Sequence, residues 1–217
     1  MNNKPIVNVL YSPGTNCEVE TMEAFRLAGG DPHLVFLHDL REKRVRITDC
    51  DCFVVPGGFS FGDYPGTGVA VAEFLSDQFP LLVEQGIPTI GICNGMQILM
   101  QAGLFGENVA MTENDSGVFV SRMIRHRVLA SNCVWTAGLD GHVLEFPAAH
   151  RYGKPSGDIG RLNVVMNYQS ESPNGSPIAG ICDDTGRVFA LMDHPERPYD
   201  NPAGQAIFRN GLAAVCG

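Results

Sequence analysis

The chain has 217 residues, of which 44% are hydrophobic and 18% are charged. This composition is typical of a globular protein and excludes a disordered or fibrous one, so we predict a single domain over residues 1–217. The net charge of −9 repels polyanions, which argues against nonspecific binding to nucleic acid or to an acidic membrane surface.

The first half of the chain alternates short β-branched segments with helical patterns, which predicts a mostly parallel sheet covered by helices on both faces. The fold class is therefore α/β, a three-layer sandwich. Strands are predicted at Ile6–Tyr11, Leu34–Leu37, Cys52–Val55 and Ile87–Ile92.

Three helices are predicted, one after each of the first, third and fourth of these strands. The first is capped by Thr15 or Asn16 and ends at Gly29-Gly30, and the third spans Met96–Ala102. Apolar positions of the first helix are Val19, Met22, Ala24 and Phe25, and those of the second are Phe74, Leu75, Phe79, Leu82 and Val83.

Shorter strands, some of them antiparallel, are predicted beyond residue 110. They lie at Gly117–Val120, Arg127–Leu129, Cys133–Thr136, Val143–Phe146, Leu162–Tyr168 and Arg187–Met192. A closing helix is predicted over Ala203–Ala214, with its N-cap region at Asp200-Asn201-Pro202.

Targeting segments are not predicted. The N-terminal apolar run is short and ends at a Ser12-Pro13-Gly14 turn, unlike a secretory signal. The uncharged stretch over residues 85–106 contains five glycines and a proline, which favours a buried strand and helix over a membrane span. Seven cysteines without C-x-x-C pairs are typical of a reducing compartment, so we expect a cytoplasmic location.

The most informative motif is Gly91-Ile92-Cys93-Asn94-Gly95, which stands between a strand and a helix. Flanking glycines allow the tight turn of a nucleophile elbow, which exposes Cys93 at the carboxyl end of its strand. The helix N-terminus favours a thiolate there, and the backbone N–H of Asn94 can stabilise an oxyanion. The alternative is that Cys93 is a small buried packing residue.

A nucleophilic thiol needs a base, and the base needs an orienting group. His194 follows the predicted strand over 187–192, so it lies at the same sheet edge as Cys93. Glu196 is two residues further on and can hold the imidazole in one tautomer.

A second candidate loop is Pro56-Gly57-Gly58-Phe59-Ser60-Phe61-Gly62-Asp63, again directly after a strand. Paired glycines let backbone N–H groups approach a ligand, as an oxyanion hole requires. A phosphate-binding loop is the alternative, but the P-loop lysine is absent, and Gly66-Thr67-Gly68 lacks dinucleotide-binding spacing.

Five segments together carry a resemblance to a known family: Pro13–Glu20, Pro56–Tyr64, Gly91–Leu99, Ser172–Ser176 and Met192–Arg197. The chain resembles the class I (Cys-His-Glu triad) glutamine amidotransferases, and within them the glutaminase subunits of phosphoribosylformylglycinamidine synthase, from purine biosynthesis. The elbow and the His-Pro-Glu are shared by the class. The other segments are specific to the subfamily.

The resemblance implies a flavodoxin-like sandwich and a catalytic triad of Cys93, His194 and Glu196. The N–H groups of Gly58 and Asn94 would form the oxyanion hole, and the substrate-binding residues would be Gly57 and Gln97. No metal site is expected in this chain. Ammonia from glutamine would pass to an ATP-dependent synthase subunit, with a small bridging subunit, and ATP and Mg would bind that partner.

The chain departs from the subfamily at His150-Arg151-Tyr152-Gly153-Lys154, where His-Gly-Glu-Gly-Arg is usual, and at Asp193, where proline is more frequent. The arginine can refill the pocket for the amino-acid end of the substrate. Alternatives therefore stay open: a glutaminase for a different amidoligase, a weak glutamine-sensing or scaffold subunit, or a cysteine hydrolase or redox protein of similar architecture.

The other histidines and cysteines are interpreted as structural or surface residues, and no zinc-ligand spacing occurs among them. His126 lies among Arg122, Arg125 and Arg127, and this basic cluster is a candidate docking face for a partner. Cys17, at a predicted helix start, is not expected to be catalytic.

Overall fold

A computed structural model describes residues 4–61, 68–169 and 171–215. The strands in these ranges are β1 (Ile6–Tyr11), β2 (Asp31–Phe36), β3 (Cys52–Val55), β4 (Thr89–Ile92), β5 (Val109–Thr112), β6 (Val120–Val128), β7 (Val143–His150), β8 (Lys154–Gly157), β9 (Asn163–Tyr168), β10 (Ile178–Cys182) and β11 (Val188–Leu191). The α-helices are α1 (Glu18–Ala28), α2 (Leu37–Arg41), α3 (Val69–Phe74), α4 (Phe79–Glu84), α5 (Asn94–Gln101) and α6 (Pro202–Ala213).

Nine strands form one sheet, in the order β2-β1-β3-β4-β11-β10-β9-β6-β7. The first five are parallel neighbours. The remaining four continue the sheet with antiparallel pairing, and β5 pairs with β8 separately. The α/β class with antiparallel strands in the second half is therefore confirmed. Strands from both halves of the chain enter this sheet, although the single-domain assignment itself stays a prediction.

Helices pack in two groups, α1 with α6 and α3 with α5, and α5 lies against β3, β4 and β11. The fully buried Phe25 joins the first group by ring contacts to Trp135 and Phe208. In the described ranges, every helix is too short or too polar to cross a bilayer.

Two strands, β1 and β3, have the predicted bounds, but the first helix begins differently. Its N-cap is Cys17, without a side-chain cap. Thr15 is unavailable as a cap because its Oγ1 accepts the N–H of Ser12, and Asn16 Oδ1 accepts the Cys17 thiol. The end is as predicted, because Gly29 adopts the left-handed conformation that ends many helices.

Two other predictions are wrong. The single helix through Phe74 and Leu82 is two helices, α3 and α4, and Pro80 stands in the first turn of α4. Proline has no N–H to donate to the carbonyl four residues earlier, so Pro80 fits the first turn of a new helix and not the interior of a continuous one. The predicted strand Cys133–Thr136 is a 3₁₀ turn over Val134–Thr136, where the buried Trp135 donates its indole N–H to the Arg187 carbonyl.

Boundaries also differ elsewhere. The predicted strand Leu34–Leu37 begins earlier, at Asp31, and Leu37 instead opens α2. The predicted strand Gly117–Val120 is wrong except for Val120, which begins β6, and the predicted strand Arg127–Leu129 is the end of that same strand, which stops at Val128. Strands β5, β8 and β10 were not predicted. For β8, the sequence Lys-Pro-Ser-Gly has no strand propensity and pairs through its backbone. The N-cap of α6 is as predicted, because Asn201 accepts the N–H of Ala203.

Candidate active site

Cys93 occupies a sharp turn between β4 and α5, at the carboxyl ends of the parallel strands. Its φ of 52° and ψ of −107° lie in a region that non-glycine residues rarely adopt. The turn is held by the Cys93 N–H, which donates to the Leu191 carbonyl of β11 at 2.8 Å. Because α5 begins at Asn94, the sulfur stands at the helix N-terminus, as the motif predicts.

The glycines that flank Cys93 are required by packing. A Cβ on Gly95 would overlap the Val55 carbonyl of β3, and a Cβ on Gly91 would lie 2.7 Å from the Gly95 carbonyl. A side chain at either position would therefore push α5 away from the sheet and displace the turn that presents Cys93.

His194 follows β11 and is 2% exposed. Its Nδ1 lies 2.7 Å from Oε1 of Glu196, which is fully buried, and its backbone N–H donates to the Pro147 carbonyl at 3.0 Å. Burial opposes the imidazolium, but the negative charges of Glu196 and of the Cys93 sulfur outweigh it and raise the pKa of His194 well above its usual value. The Glu196 carboxylate and the Pro147 carbonyl therefore fix the position of His194.

The backbone at Gly57 is the point where these side chains converge. A Cβ on Gly57 would lie 2.9 Å from Cε1 of His194 and 3.5 Å from Cβ of Cys93. A cavity of about 120 Å³ is lined by both Cys93 and His194. The fold thus brings the predicted nucleophile and base together from positions about a hundred residues apart in the chain.

The predicted oxyanion loop is supported by the loop that follows β1. Gly58 pairs with Thr15 in a β-bridge, and the Phe59 N–H donates to the Gly14 carbonyl at 2.8 Å. A Cβ on Gly58 would lie 2.6 Å from that same carbonyl, so only glycine fits. Residues at the end of this segment, Gly62, Asp63 and Tyr64, lie outside the described residues, as do Gly66 and Thr67 of the rejected dinucleotide-binding pattern.

Asn94 and Gln97 connect the elbow to its surroundings. The Asn94 side chain accepts the Ser60 N–H at 3.1 Å and donates to Oε1 of Gln97 at 2.8 Å. Gln97 in turn donates its Nε2–H to the Tyr152 carbonyl at 2.8 Å. Gln97 lines a second cavity beside Cys93, but protein groups engage both atoms of its amide, so its contact with substrate stays a prediction.

A second cysteine, Cys17, also lies in this site, although its position in the sequence gave no reason to expect a catalytic role. The Cys17 sulfur, a ring nitrogen of His194 and a carboxylate oxygen of Glu196 lie within 4.8 Å of one another. Arg197 lies 2.8 Å from the Cys17 sulfur and pairs with Glu20. Burial, the largest influence, raises the pKa of the Cys17 thiol. The three donor atoms are close enough to surround one metal ion, so the expectation of no metal site stays a prediction.

Cys17 gave no signal in the sequence beyond its position at a helix start, because its neighbours in the fold are far away in the chain. The cysteines at 50, 52, 133 and 182 are free thiols in or near the core, and Cys216 lies outside the described residues.

Asp193 is fully buried beside His194 and is paired with two histidines. Nε2 of His126 lies 2.5 Å from one carboxylate oxygen, and Nε2 of His150 lies 3.4 Å from the other. Burial opposes the charge, but the two imidazoles outweigh it and lower the pKa of Asp193. His126 is thus a core residue, whereas Arg125 and Arg127 point outward on the same strand. The docking role of that basic cluster stays a prediction.

Comparison with known proteins shows which family this chain matches. A family model described as a CobB/CobQ-like glutamine amidotransferase domain matches residues 4–211. The chain is 38% identical over 215 residues to phosphoribosylformylglycinamidine synthase subunit PurQ of Dehalococcoides mccartyi, covering 87% of this chain and 84% of that one. The same subunit of Rubrobacter xylanophilus is 37% identical to this chain, and the match covers 96% of this chain and 98% of that one. A chain in the solved structure of PurLQS from Thermotoga maritima superposes with a TM-score of 0.85 at 32% identity. The match covers 97% of this chain and 98% of that one.

Proposed function

The chain belongs to the CobB/CobQ-like glutamine amidotransferases, and from this premise we propose that it is the glutaminase subunit of a phosphoribosylformylglycinamidine synthase. The observation that carries the proposal is the arrangement of Cys93, His194 and Glu196 at the carboxyl ends of β4 and β11. The specific synthase is supported by the relatives from D. mccartyi and R. xylanophilus and by the likeness to PurLQS.

The first half-reaction is acyl transfer to sulfur. The Cys93 thiolate attacks the side-chain carboxamide carbon of glutamine, and the N–H groups of Gly58 and Asn94 stabilise the oxyanion. The imidazolium of His194 donates its proton to the departing nitrogen, which leaves as ammonia. A γ-glutamyl thioester remains on Cys93.

The second half-reaction returns the enzyme to its starting state. His194, now neutral, takes a proton from water as the water attacks the thioester carbon. Collapse of the second tetrahedral intermediate breaks the carbon–sulfur bond and releases glutamate. Glu196 holds the ring through Nδ1 in both steps, so Nε2 alone exchanges protons with the substrate.

Ammonia released into neutral water is mostly protonated and loses its nucleophilicity, so a docked partner must receive it. We propose an ATP-dependent synthase subunit that uses this ammonia to convert formylglycinamide ribonucleotide to formylglycinamidine ribonucleotide, with ATP and Mg on the partner and a small bridging subunit in the complex. The likeness to PurLQS supports an assembly of this kind. The expected cytoplasmic location is supported by the cysteine usage.

One observation favours a weaker catalyst as the second candidate. The cavity beside Cys93 and Gln97 has a volume of only about 10 Å³, and Arg151 lines it. Such a volume accommodates about one water molecule, so glutamine enters only if lining side chains move. A scaffold subunit would keep this cavity closed, and a glutamine-sensing subunit would open it to glutamine without fast hydrolysis.

Covalent labelling separates the two candidates. The glutamine analogue 6-diazo-5-oxo-L-norleucine should alkylate Cys93, as identified by peptide mass mapping, and glutamine hydrolysis should rise when the synthase subunit is added. In the complex, Cys93→Ala should abolish glutamine-dependent synthesis and retain ammonia-dependent synthesis. The glutaminase proposal fails if Cys93 carries no adduct, with or without the synthase subunit.

A further inference from the structure

The cluster of Cys17, His194 and Glu196 has the donor types of a site for a zinc-like cation. A thiol sulfur, a ring nitrogen and a carboxylate oxygen lie within 4.8 Å of one another. Zn²⁺ binds these three donor types, and its tetrahedral ligands are about 3.5 Å apart, so the donors need to approach by about 1 Å. Mg²⁺ and Ca²⁺ prefer oxygen ligands alone. The cluster therefore favours Zn²⁺ over the alkaline-earth cations.

Two polar atoms of this cluster are buried without a hydrogen-bond partner among the described residues. They are Nε2 of His194 and Oε2 of Glu196, and both side chains are almost completely buried. Such atoms cost free energy of folding, and a bound ligand recovers part of that cost. Proton transfer in the proposed reaction uses Nε2 of His194 but does not use Oε2 of Glu196. The second atom is therefore an acceptor that the reaction leaves available for a cation.

The charges around the cluster also suit a divalent cation. When Cys17 is a thiolate, it and Glu196 together carry two negative charges, which equal the charge of the ion. Arg197 lies 2.8 Å from the Cys17 sulfur, where its charge favours the thiolate that binds metal. Because Arg197 is paired with Glu20, this ion pair adds no net charge. A buried cation requires compensation of this kind.

The cavity of about 120 Å³ gives an ion access to the cluster, because Cys17 and His194 both line it. Phe59 and Phe119 line it too and are 39% and 46% exposed, so the cavity opens toward solvent. Water in this cavity, or the Cys93 sulfur that also lines it, is available as the fourth ligand. An entry path and an open coordination position are thus both present.

We propose that Cys17, His194 and Glu196 form an inhibitory site for Zn²⁺ or a similar thiophilic divalent cation. The ion replaces the protons on the Cys17 sulfur and the His194 ring nitrogen that bind it, and these protons leave to solvent. Metal binding withdraws His194 and Glu196 from the catalytic triad. Binding itself depends only on the geometry of the cluster, whereas the effect on glutamine hydrolysis rests on the proposed function.

Metal binding is measured directly on the full chain, by calorimetry with Zn²⁺ and by the ultraviolet absorption of Cd²⁺–thiolate bonds. Cys17→Ser should weaken Zn²⁺ binding about 100-fold or more, since losing even an outer-shell partner costs about 10- to 100-fold. Cys93→Ser keeps all three donors and should stay within about tenfold of wild type. The matched control is Cys50→Ser, which removes a half-buried thiol elsewhere and should bind as wild type.

A second measurement needs no substitution. Zn²⁺ at about 100 times its Kd should slow the alkylation of Cys17 by iodoacetamide about 100-fold, as followed by peptide mass mapping, and should leave Cys50 unprotected. Mg²⁺ should protect neither thiol. If Cys17→Ser does not fold, this protection decides whether Cys17 is a ligand.

Inhibition is measured on the complex with the synthase subunit. Zn²⁺ should stop glutamine-dependent synthesis, a chelator should restore it, and ammonia-dependent synthesis should continue. In Cys17→Ser, compared with its own metal-free rate, the inhibitory concentration should rise by the same factor as the Kd.

Equal Zn²⁺ affinity of wild type and Cys17→Ser, or alkylation of Cys17 at the same rate with and without Zn²⁺, would overturn this inference. A loss of binding in Cys93→Ser as large as in Cys17→Ser would also overturn it, because the nucleophile would then be a required ligand. Full glutamine-dependent synthesis with the site occupied would refute the inhibitory role. The proposed function is tested separately, because diazoketone labelling of Cys93 in metal-free protein is independent of all these outcomes.

Discussion

The buried carboxylate of Glu196 offers the sharpest test of the proposed chemistry. Glu196→Gln keeps the shape of the side chain and removes its charge. In the structure this charge lies 2.7 Å from Nδ1 of His194, and both side chains are almost completely buried. When the charge of Glu196 is removed, burial still destabilises the imidazolium, so the pKa of His194 should fall.

The size of the effect follows from the geometry. Two opposite unit charges about 4 Å apart interact by about 4 kcal/mol at an effective dielectric constant of about 20. If the imidazolium that protonates the departing nitrogen loses this stabilisation, turnover falls about 1000-fold. The glutamine side chain can also hold the wrong tautomer of the ring, a change that costs about 10⁴-fold in a serine protease triad.

The assay measures glutamine-dependent and ammonia-dependent synthesis by the complex. Glu196→Gln should lose the first by about three orders of magnitude and retain the second, because ammonia enters at the partner's site. NMR titration of the His194 ring should show the lower pKa, and Glu23→Gln, which removes an exposed paired carboxylate, should behave as wild type.

Glutamine-dependent turnover within about tenfold of wild type would refute the reasoning, since the loss would then be far below that expected from the charge. Loss of both activities together would indicate that the complex no longer assembles. In that case thermal unfolding of the isolated chain distinguishes a folding defect from a docking defect, and the ring titration still tests the electrostatic argument.

Three further substitutions test the framework of the site, each by chemical denaturation of the isolated chain. Gly95→Ala places a methyl group against the Val55 carbonyl and should lower the free energy of unfolding by about 3 kcal/mol. Asp193→Asn leaves two buried imidazoles without their carboxylate and should cost about 3–5 kcal/mol at neutral pH. Because folding lowers the pKa of Asp193, this difference should persist above about pH 4 and disappear as the pH falls further. Asn201→Ala removes the cap of the Ala203 N–H and should cost about 1 kcal/mol.

The first two of these substitutions have matched controls. Gly160→Ala adds a methyl group with no atom within 4 Å, and Asp184→Asn changes an exposed carboxylate, so both should leave stability nearly unchanged. A Gly95→Ala protein as stable as Gly160→Ala would contradict the close packing of α5 on β3. A pH-independent loss in Asp193→Asn would show that its charge is not what stabilises the cluster.

The local features of the site could be predicted because each depends on residues that are neighbours in the chain. Gly-x-Cys-x-Gly between an apolar strand and a helix produces an elbow, since the backbone of these residues alone must make the turn. His194 and Glu196 are separated by a single residue, Pro195, so their side chains meet within one loop. The bounds of β1 and β3 follow in the same way from runs of β-branched residues.

Other elements could not be predicted because nothing local specifies them. The strand β8 exists because β5 supplies a backbone partner for Lys154–Gly157, which has no strand propensity of its own. The N-cap of α1 is Cys17 because the side chains of Thr15 and Asn16 form hydrogen bonds within the preceding turn. Trp135 lies in a 3₁₀ turn because its ring packs against α1 and α6, and this tertiary contact outweighs the local preference for a strand.

The sequence by itself therefore determined the α/β class and the elbow, and it was sufficient to propose the nucleophile, the base and the orienting carboxylate. Only the tertiary structure decided that Cys17 lies beside His194 and Arg197, that Asp193 pairs with two histidines, and that Arg151 lines the cavity next to Cys93. The physical reason is distance along the chain. Turns and caps involve neighbouring residues, whereas side chains from segments a hundred residues apart meet only when the sheet has assembled.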